Sequence, residues 1–349
     1  MKRNGRIGAV LLAVSLASAC AAKQKNQNPL LRKPVVHESP AQDYRLLAAD
    51  LGIPGKRARA ADLLRKAAIE GKDISRAVPG LVRSLEHPEC RYASAWALGH
   101  SAKNSPSVVT RLAKALGNER LREGASLALW VASTNGVDVS LALVPAGEAL
   151  GDEKTRSLMA DVFRNLSLRS QDISSALPNL KIALRHGDSR KAAAEALWLA
   201  SINHDISGLL PELREALRHD DSRAPSIRAI SKIAEKGGHV LVALPEIAEC
   251  LDHDESRYHA VKTLRLLALG GADIGVAVPQ LANSLSDPLC QSLAASALWF
   301  AAENGTDIST ASDALTACLG YESCRDSAIK ALAAASRNTV GDAYLPESL

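Results

Sequence analysis

Apolar residues recur in this chain at two nested spacings. Within short stretches they fall three, four and seven residues apart, which lines one face of an α-helix. Over longer distances the whole stretch returns: "CRYASAWALGHSA" at 90–102, "SRKAAAEALWLAS" at 189–201 and "LCQSLAASALWFAA" at 289–302. An arginine marks the frame. It stands at Arg57, Arg91, Arg122, Arg156, Arg190, Arg223, Arg257 and Arg325, with Gln291 in one place, and the steps are 34, 31, 34, 34, 33, 34, 34 and 34 residues. Self-similarity at that period marks stacked helix pairs.

Each unit reads the same way around this anchor. Six residues before it stands a leucine in every unit from Leu85 to Leu319, and ten before it usually Leu or Ile, as at Leu81, Leu180 and Ile247. Twelve before it is often proline (Pro79, Pro178, Pro211, Pro245, Pro279), which suits the first turn of a helix because its missing N–H has no intrahelical partner there. A first helix is therefore expected to start near that proline and bury a leucine stripe. Polar breaks such as "HGDS" and "HDES" fit a turn and the start of a second helix. Seven after the anchor is bulky (Leu98, Leu129, Phe163, Leu197, Ile230, Leu264, Leu298, Leu332), and six after is mostly Ala, so the two helices approach closely. The link to the next unit often reads Asp-Ile-Ser, as at Asp73, Asp172 and Asp307. With no sustained alternating Val/Ile/Thr pattern, the chain is read as all-α, an α-solenoid of roughly nine antiparallel helical hairpins.

Aromatic residues make up only 3% of the chain, yet four are tryptophan. On a helical wheel of the second helices, positions three, seven and ten after the anchor face the core, and one, five, eight and twelve face away. Trp130, Trp198 and Trp299 are each eight after their anchors, and Trp96 is five after its own. The same outward stripe carries Tyr92, Arg164, Lys191, Glu195, Arg228, Tyr258, Lys262, Arg265 and Glu303. Trp, Tyr and Arg are enriched at binding hot spots. Tyr92, Trp96, Trp130, Arg164, Trp198, Tyr258, Arg265 and Trp299 are accordingly the candidate partner-binding residues. The competing reading is that each Trp covers the seam between adjacent units; one ring can do both. The anchor arginine is read as structural, bonding carbonyls or acids of the neighbouring unit.

These elements together resemble the HEAT-like repeat family in the short form of phycobilin-lyase-type proteins. The shared features are the Ala-Val-Pro-x-Leu entry (Ala77 to Leu81, Ala277 to Leu281), the acidic turn, the anchor Arg and the Ala-Leu pair. The resemblance covers roughly 58 to 338, with a degenerate leading unit back to about residue 40. It implies that the second helices line a concave face and, by analogy alone, leaves a lyase-type or chromophore-handling enzyme as the alternative function. The motif is specific for architecture and says little about activity.

The N-terminus adds a location. A basic start and an apolar run from Ile7 to Ala19 form a secretory signal, too short to span a bilayer, which takes roughly 20 residues. Its end, Leu16-Ala-Ser-Ala-Cys20, resembles a bacterial lipobox, with Ala17 where Leu is usual; Cys20 is the expected lipid anchor. An ordinary cleavage after Ala19 makes the same cut without the lipid. The chain then divides into a signal peptide (1–19), a flexible polar tether (20–39), the solenoid (40–338) and a tail (339–349). Lys2, Arg3 and Arg6 supply three of the four net positive charges. A mature chain near +1 lacks the basic field that nucleic acid requires.

Other chemistry is sparse. His87, His186, His219 and His253 share one loop position, but adjacent units stack about 8–10 Å apart and zinc needs its nitrogens at about 2 Å, so a turn or cap role is expected. There is no Gly-rich phosphate loop, GxSxG or CxxC, and no cofactor or metal is expected. Cys318 and Cys324 flank the turn "CLGYESC" and are a disulfide candidate, with Cys290 one unit earlier as a competitor. The alternative is that Cys90, Cys250, Cys290, Cys318 and Cys324 are all buried stand-ins for Ser or Ala. The reading overall is an exported, lipid-anchored, monomeric scaffold or adaptor that binds a protein or peptide.

Overall fold

The computed structural model describes residues 44–342, and within them the fold is helical with no strand. The signal peptide, the Cys20 lipid site and the tether lie outside the described residues, as does the end of the tail after Asp342. Among the described residues the helices form nine antiparallel hairpins. The first helices are α1 (Tyr44–Asp50), α3 (Val78–Ser84), α5 (Ser107–Leu116), α7 (Leu143–Ala149), α9 (Leu177–Leu184), α11 (Leu210–Ala216), α13 (Leu244–Glu249), α15 (Val278–Ser284) and α17 (Ser312–Cys318). The second helices are α2 (Pro54–Ile69), α4 (Pro88–Ser101), α6 (Glu119–Thr134), α8 (Arg156–Leu168), α10 (Arg190–Ala200), α12 (Asp220–Glu235), α14 (Asp254–Leu269), α16 (Gln291–Glu303) and α18 (Arg325–Asp342). Each second helix packs on its own first helix and on the second helices before and after it, which makes the body a HEAT/armadillo-like α-solenoid.

The link between units is a built turn. The Asp73 carboxylate accepts the Ser75 backbone N–H at 2.9 Å, and Asp138, Asp172, Asp205, Asp273 and Asp307 do the same two residues on. This Asx turn opens a short 3-10 segment, Ser75–Ala77 in the first case, that leads into the α-helix with proline in its first turn. The buried Ile or Val after the Asp (Ile74, Val139, Ile173, Ile206, Ile274, Ile308) pins the turn to the core. Before it, Gly71, Gly136, Gly237, Gly271 and Gly305 hold positive φ just past a second helix, where a Cβ would be strained; Ser170 takes that conformation after α8. α5 lacks the 3-10 entry, and its unit is the short one.

The core follows the wheel. The leucine six before the anchor, the bulky residue seven after it and the mostly small residue three after it are buried from unit to unit, with Leu319 and Leu332 of the last unit half-buried. The residue four after the anchor is buried as well, because it meets the following second helix: Ala61, Ala95, Ser126, Ala160, Ala194, Ile227, Val261 and Ala295. Ile329 holds that place in α18, with no described unit after it, and is 51% exposed. The second helices are thus covered on three sides and open mainly along the stripe at one, five, eight and twelve, where Gly99 and Ser231 are buried.

The cysteines fall into two slots of the repeat. Cys90, Cys290 and Cys324 stand just before the anchor, where Thr155, Ser189, Ser222 and Ser256 donate their hydroxyls to the carbonyl six residues earlier. The Cys90 and Cys324 thiols make the same bond, to the Ser84 and Cys318 carbonyls, both at 3.3 Å. Cys250 and Cys318 fill the paired slot, which is Ala or Ser in the other units after the first. All five are buried free thiols; burial pushes the Cys250, Cys290 and Cys318 thiols up to about 12.

Candidate functional site

At the start of each second helix, the anchor arginine closes the corner of its hairpin. Its Nε donates to the carbonyl of the leucine six residues earlier: Arg57 to Leu51 at 2.9 Å, Arg91 to Leu85 at 3.0 Å, Arg156 to Leu150 at 3.1 Å and Arg257 to Leu251 at 2.8 Å. Arg122, Arg190, Arg223 and Arg325 repeat the bond. Those leucines lie at the end of the first helix, where carbonyls have no intrahelical partner and a cation is favoured. Several of the guanidiniums also reach a carboxylate of the next unit: Arg57 to Glu89 at 2.8 Å, Arg91 to Glu123 at 2.6 Å and Arg122 to Asp152 at 3.0 Å. Gln291 keeps only the link between units, accepting the Ser323 hydroxyl at 2.7 Å. The anchor is structural as expected, but only the acids belong to the neighbouring unit, and the carbonyl is that of its own hairpin.

The loop histidines serve the same corner by their backbone. The His87, His186, His219 and His253 carbonyls accept the N–H of the anchor residue, while none of the rings caps a helix. No group of three or more His, Cys, Asp or Glu among the described residues could hold a metal ion.

The outward stripe is built otherwise. All four tryptophans are half-buried. Trp198 lies under Arg228 of the next unit, with the guanidinium 4.8 Å from the ring centroid, and Trp299 under Lys330 of the next unit at 4.3 Å. Such cation–π contacts are worth about 0.5–1 kcal/mol when exposed. Trp299 also stacks on Phe300 at 4.6 Å and donates its indole N–H to Glu303 at 3.2 Å. Trp96 stands in an aromatic run along α4, 5.6 Å from Tyr92 and 5.7 Å from His100, and its indole N–H is buried without a partner. Trp130 packs on the core edge of α6. Each ring therefore covers a seam or a neighbour and still keeps an open part. Tyr92 and Tyr258 are freely presented, at 58% and 42% exposure.

The arginines of the stripe differ in their company. Arg164 is neutralised by Asp161 at 3.0 Å and Glu195 at 3.6 Å. Arg265 bonds only the Ser296 hydroxyl, at 3.0 Å, and lies 5.7 Å from the Phe300 ring centroid. Arg228 has its ring contact and no hydrogen bond or ion pair. Nearby, Glu235 holds both Lys232 and Lys262 at 2.6 Å. Burial, together with the positive charge of Arg228 and Lys262, pushes the His259 imidazole down to about 4, so it is neutral at pH 7.

Sequence reasoning placed the rings on the right side of their helices and missed what they touch. Position eight of one unit meets position five of the next, so the partners stand 30 or 31 residues on: Arg164 with Glu195, Trp198 with Arg228, Arg265 with Ser296, Trp299 with Lys330. It also missed the far ends of the second helices, where Arg169, Asn304 and Asn338 donate to the Ser133, Ala268 and Ala302 carbonyls of the preceding unit. Cross-unit contacts of the first helices were missed too: buried Glu246 is held by Arg214 and Arg218, each at 2.8 Å. A cavity of about 760 Å³ lies at the turns, lined by Glu86, Arg91, Arg122, Glu123 and Asp152 among others and by no tryptophan. Arg91 with Glu123 and Arg122 with Asp152 are spent there in the anchor ion pairs.

No family model matches this chain, and no curated protein matches it. Solved structures do. A structure of Kap121p bound to Nup53p is 15% identical with a TM-score of 0.41, covering 85% of this chain and 37% of that one. A structure of Kap121p bound to Ste12p is 14% identical with a TM-score of 0.40 and the same coverage. This chain thus spans a little over a third of the length of those chains. The solenoid assignment stands on this chain's own helix order and packing.

Proposed function

We propose that the protein is an exported scaffold, anchored through a lipid on Cys20, that binds a protein or peptide along the open stripe of its second helices. The observation that carries this reading is the stripe itself. Half-exposed Trp198 and Trp299 and exposed Tyr258 lie among cations on a surface that the stacking of units leaves uncovered. A rigid aromatic ring with one face packed and one face open is the anchor that binding surfaces use, and a hot-spot Trp typically contributes at least about 2 kcal/mol.

Site-specific photocrosslinking tests the face. A photoreactive residue at Tyr258 should give a discrete protein adduct in membranes, and one at Leu141, exposed at the opposite turn region, should not. Trp198→Ala with Trp299→Ala should abolish the Tyr258 adduct while the helical circular dichroism is retained. Adducts at both places, at neither, or unaffected by the double variant reject the stripe as the binding face. Mass spectrometry of the mature N-terminus tests the anchor separately: an unmodified Cys20 rejects it.

A further inference from the structure

We infer that the segment bound by this face is acidic and extended, with carboxylates seated at Arg228 and Arg265; this rests on the protein-binding reading above. The argument begins with charge. From Arg223 to Ala234 on α12 and from Arg257 to Leu269 on α14 there is no Asp or Glu. The outward side of these two helices carries Arg228, Lys232, Lys262 and Arg265, and Glu235 is the carboxylate bonded there, shared by the two lysines. The arginines are left over. Arg228 spends none of its five N–H donors on a described residue, and its Nε is buried without a partner. Arg265 gives one donor to a neutral hydroxyl.

Both guanidiniums are nonetheless held in place, Arg228 over Trp198 and Arg265 over Phe300. A cation oriented by a ring and lacking an anion is prepared for a carboxylate, which guanidinium binds through paired hydrogen bonds. His259 beside them is pushed down chiefly by burial and further by the charge of Arg228 and Lys262. Arg164 and Arg337 are met by acids, Arg164 by Asp161 and Glu195 and Arg337 by Glu303 at 2.7 Å, while Lys330 has the Trp299 ring.

Geometry sets the ligand's form. Packed helices lie about 8–10 Å apart, and Arg228 leans back on Trp198 of α10 while Arg265 leans forward on Ser296 of α16, so the two guanidiniums stand about two helix spacings apart; an extended chain rising about 3.3 Å per residue matches them with carboxylates about five or six residues apart. Trp198 and Trp299 flank the cations and would take apolar residues on either side. A nucleic acid fits less well. Its charge repeats at every phosphate, whereas Asp161 and Glu195 on one side and Glu303 on the other interrupt the run of cations. A peptide places acid only where the cations are.

The test pans a random peptide library on the full chain. One enriched peptide, its Asp/Glu→Asn/Gln form and fluorescein-labelled oligothymidine are then measured by anisotropy. Wild type is compared with R228M/R265M, whose thioethers keep the contact with the rings. Enriched peptides should carry two acids about five or six residues apart, and the amide form and R228M/R265M should each weaken binding at least about tenfold. If R228M/R265M fails to fold by circular dichroism, the amide form against wild type decides alone. Enriched peptides without acids, or binding unchanged by amidation, overturn this inference and leave a protein-binding face. No enrichment overturns both. Oligothymidine binding more tightly than the peptide overturns the acidic segment in favour of nucleic acid.

Discussion

The two ends of one structural unit follow opposite rules. At the hairpin corner, eight of nine units carry the same arginine making the same bond to the same leucine carbonyl. On the outward stripe, position eight reads Arg65, Gly99, Trp130, Arg164, Trp198, Ser231, Arg265, Trp299 and Ala333. The corner is constant because every unit must solve the same problem: orphan carbonyls at the end of a short helix, facing a neighbour one step along. The stripe varies because each seam there is filled by its own pair, such as Gly99 against Val131 or Trp198 against Arg228, rather than by one shared bond. Periodic chemistry here carries the architecture, and departures from the period are where recognition is to be sought.

The largest expected effect is at a constant core place. Leu298→Ala opens a cavity between α15 and α16 and should cost about 2–5 kcal/mol in urea melts. The same substitution at exposed Leu269, twelve after its anchor on the stripe, should cost under about half a kcal/mol. Equal losses would erase the distinction between the two regions.

A smaller effect belongs to the corner. Arg156 is buried, so Arg156→Ala leaves the Leu150 carbonyl without its charged donor, a loss of about 1.5–3 kcal/mol. Arg325→Ala, in the last described unit, removes an exposed arginine with no bonded acid of a following unit and should cost less than about 1 kcal/mol. If thermal melts show the two to be alike, the carbonyl bond is not what the corner contributes.

The corner and the core were legible in the sequence because their residues repeat at a fixed register: Leu six before, Arg at the anchor, a bulky residue seven after. The side on which each Trp falls was legible from one helix's wheel. What each Trp touches was not, because Trp198 and Trp299 meet cations supplied by the next helix, whose register against the first a single helix's wheel does not give. The cysteines resisted for a similar reason. Cys90 and Cys324 replace serine in a hydroxyl-to-carbonyl bond that shows only once Thr155, Ser189, Ser222 and Ser256 are seen making it. The Asp-Ile-Ser link was visible as a phrase, while its 3-10 entry emerged only from the carboxylate-to-backbone bonds.

Within the stripe, His259 gives a reading by pH. Burial, Arg228, Lys262 and Lys232 depress its basicity and Glu235 opposes them, so the folded protein holds it neutral down to about 4. The unfolded chain binds a proton near the ordinary value of 6.5. Between those values the unfolded state carries more protons, so this contribution is complete above about pH 6.5 and declines as the pH falls toward 4. Histidine NMR should place the His259 midpoint near 4 and move it upward in R228M. A midpoint near 6.5 in wild type would remove the positive field that sets this part of the stripe apart.

The smallest effect sharpens the comparison most, because it asks whether the one irregular corner is a defect or a design. Gln291 is buried and bonds Ser323 across the seam, but makes no bond to the Leu285 carbonyl. Gln291→Arg would restore that bond in the register used by the other eight units. It would also break the Ser323 contact and place a cation beside Asp287, which already receives Arg257 at 3.5 Å. Bringing a charged donor to an end-of-helix carbonyl outweighs one neutral bond at the edge of the seam, so Gln291→Arg should raise stability by roughly 0.5–1 kcal/mol. Adding Ser323→Asp supplies the acid that Glu89 and Asp188 supply two residues before their anchors. The double variant should exceed the sum of the single ones by about 0.2–1 kcal/mol. A Gln291→Arg protein that melts lower than wild type would mean that this seam is shaped for glutamine, and that the constancy of the other corners reflects local fit in each unit rather than one shared bond.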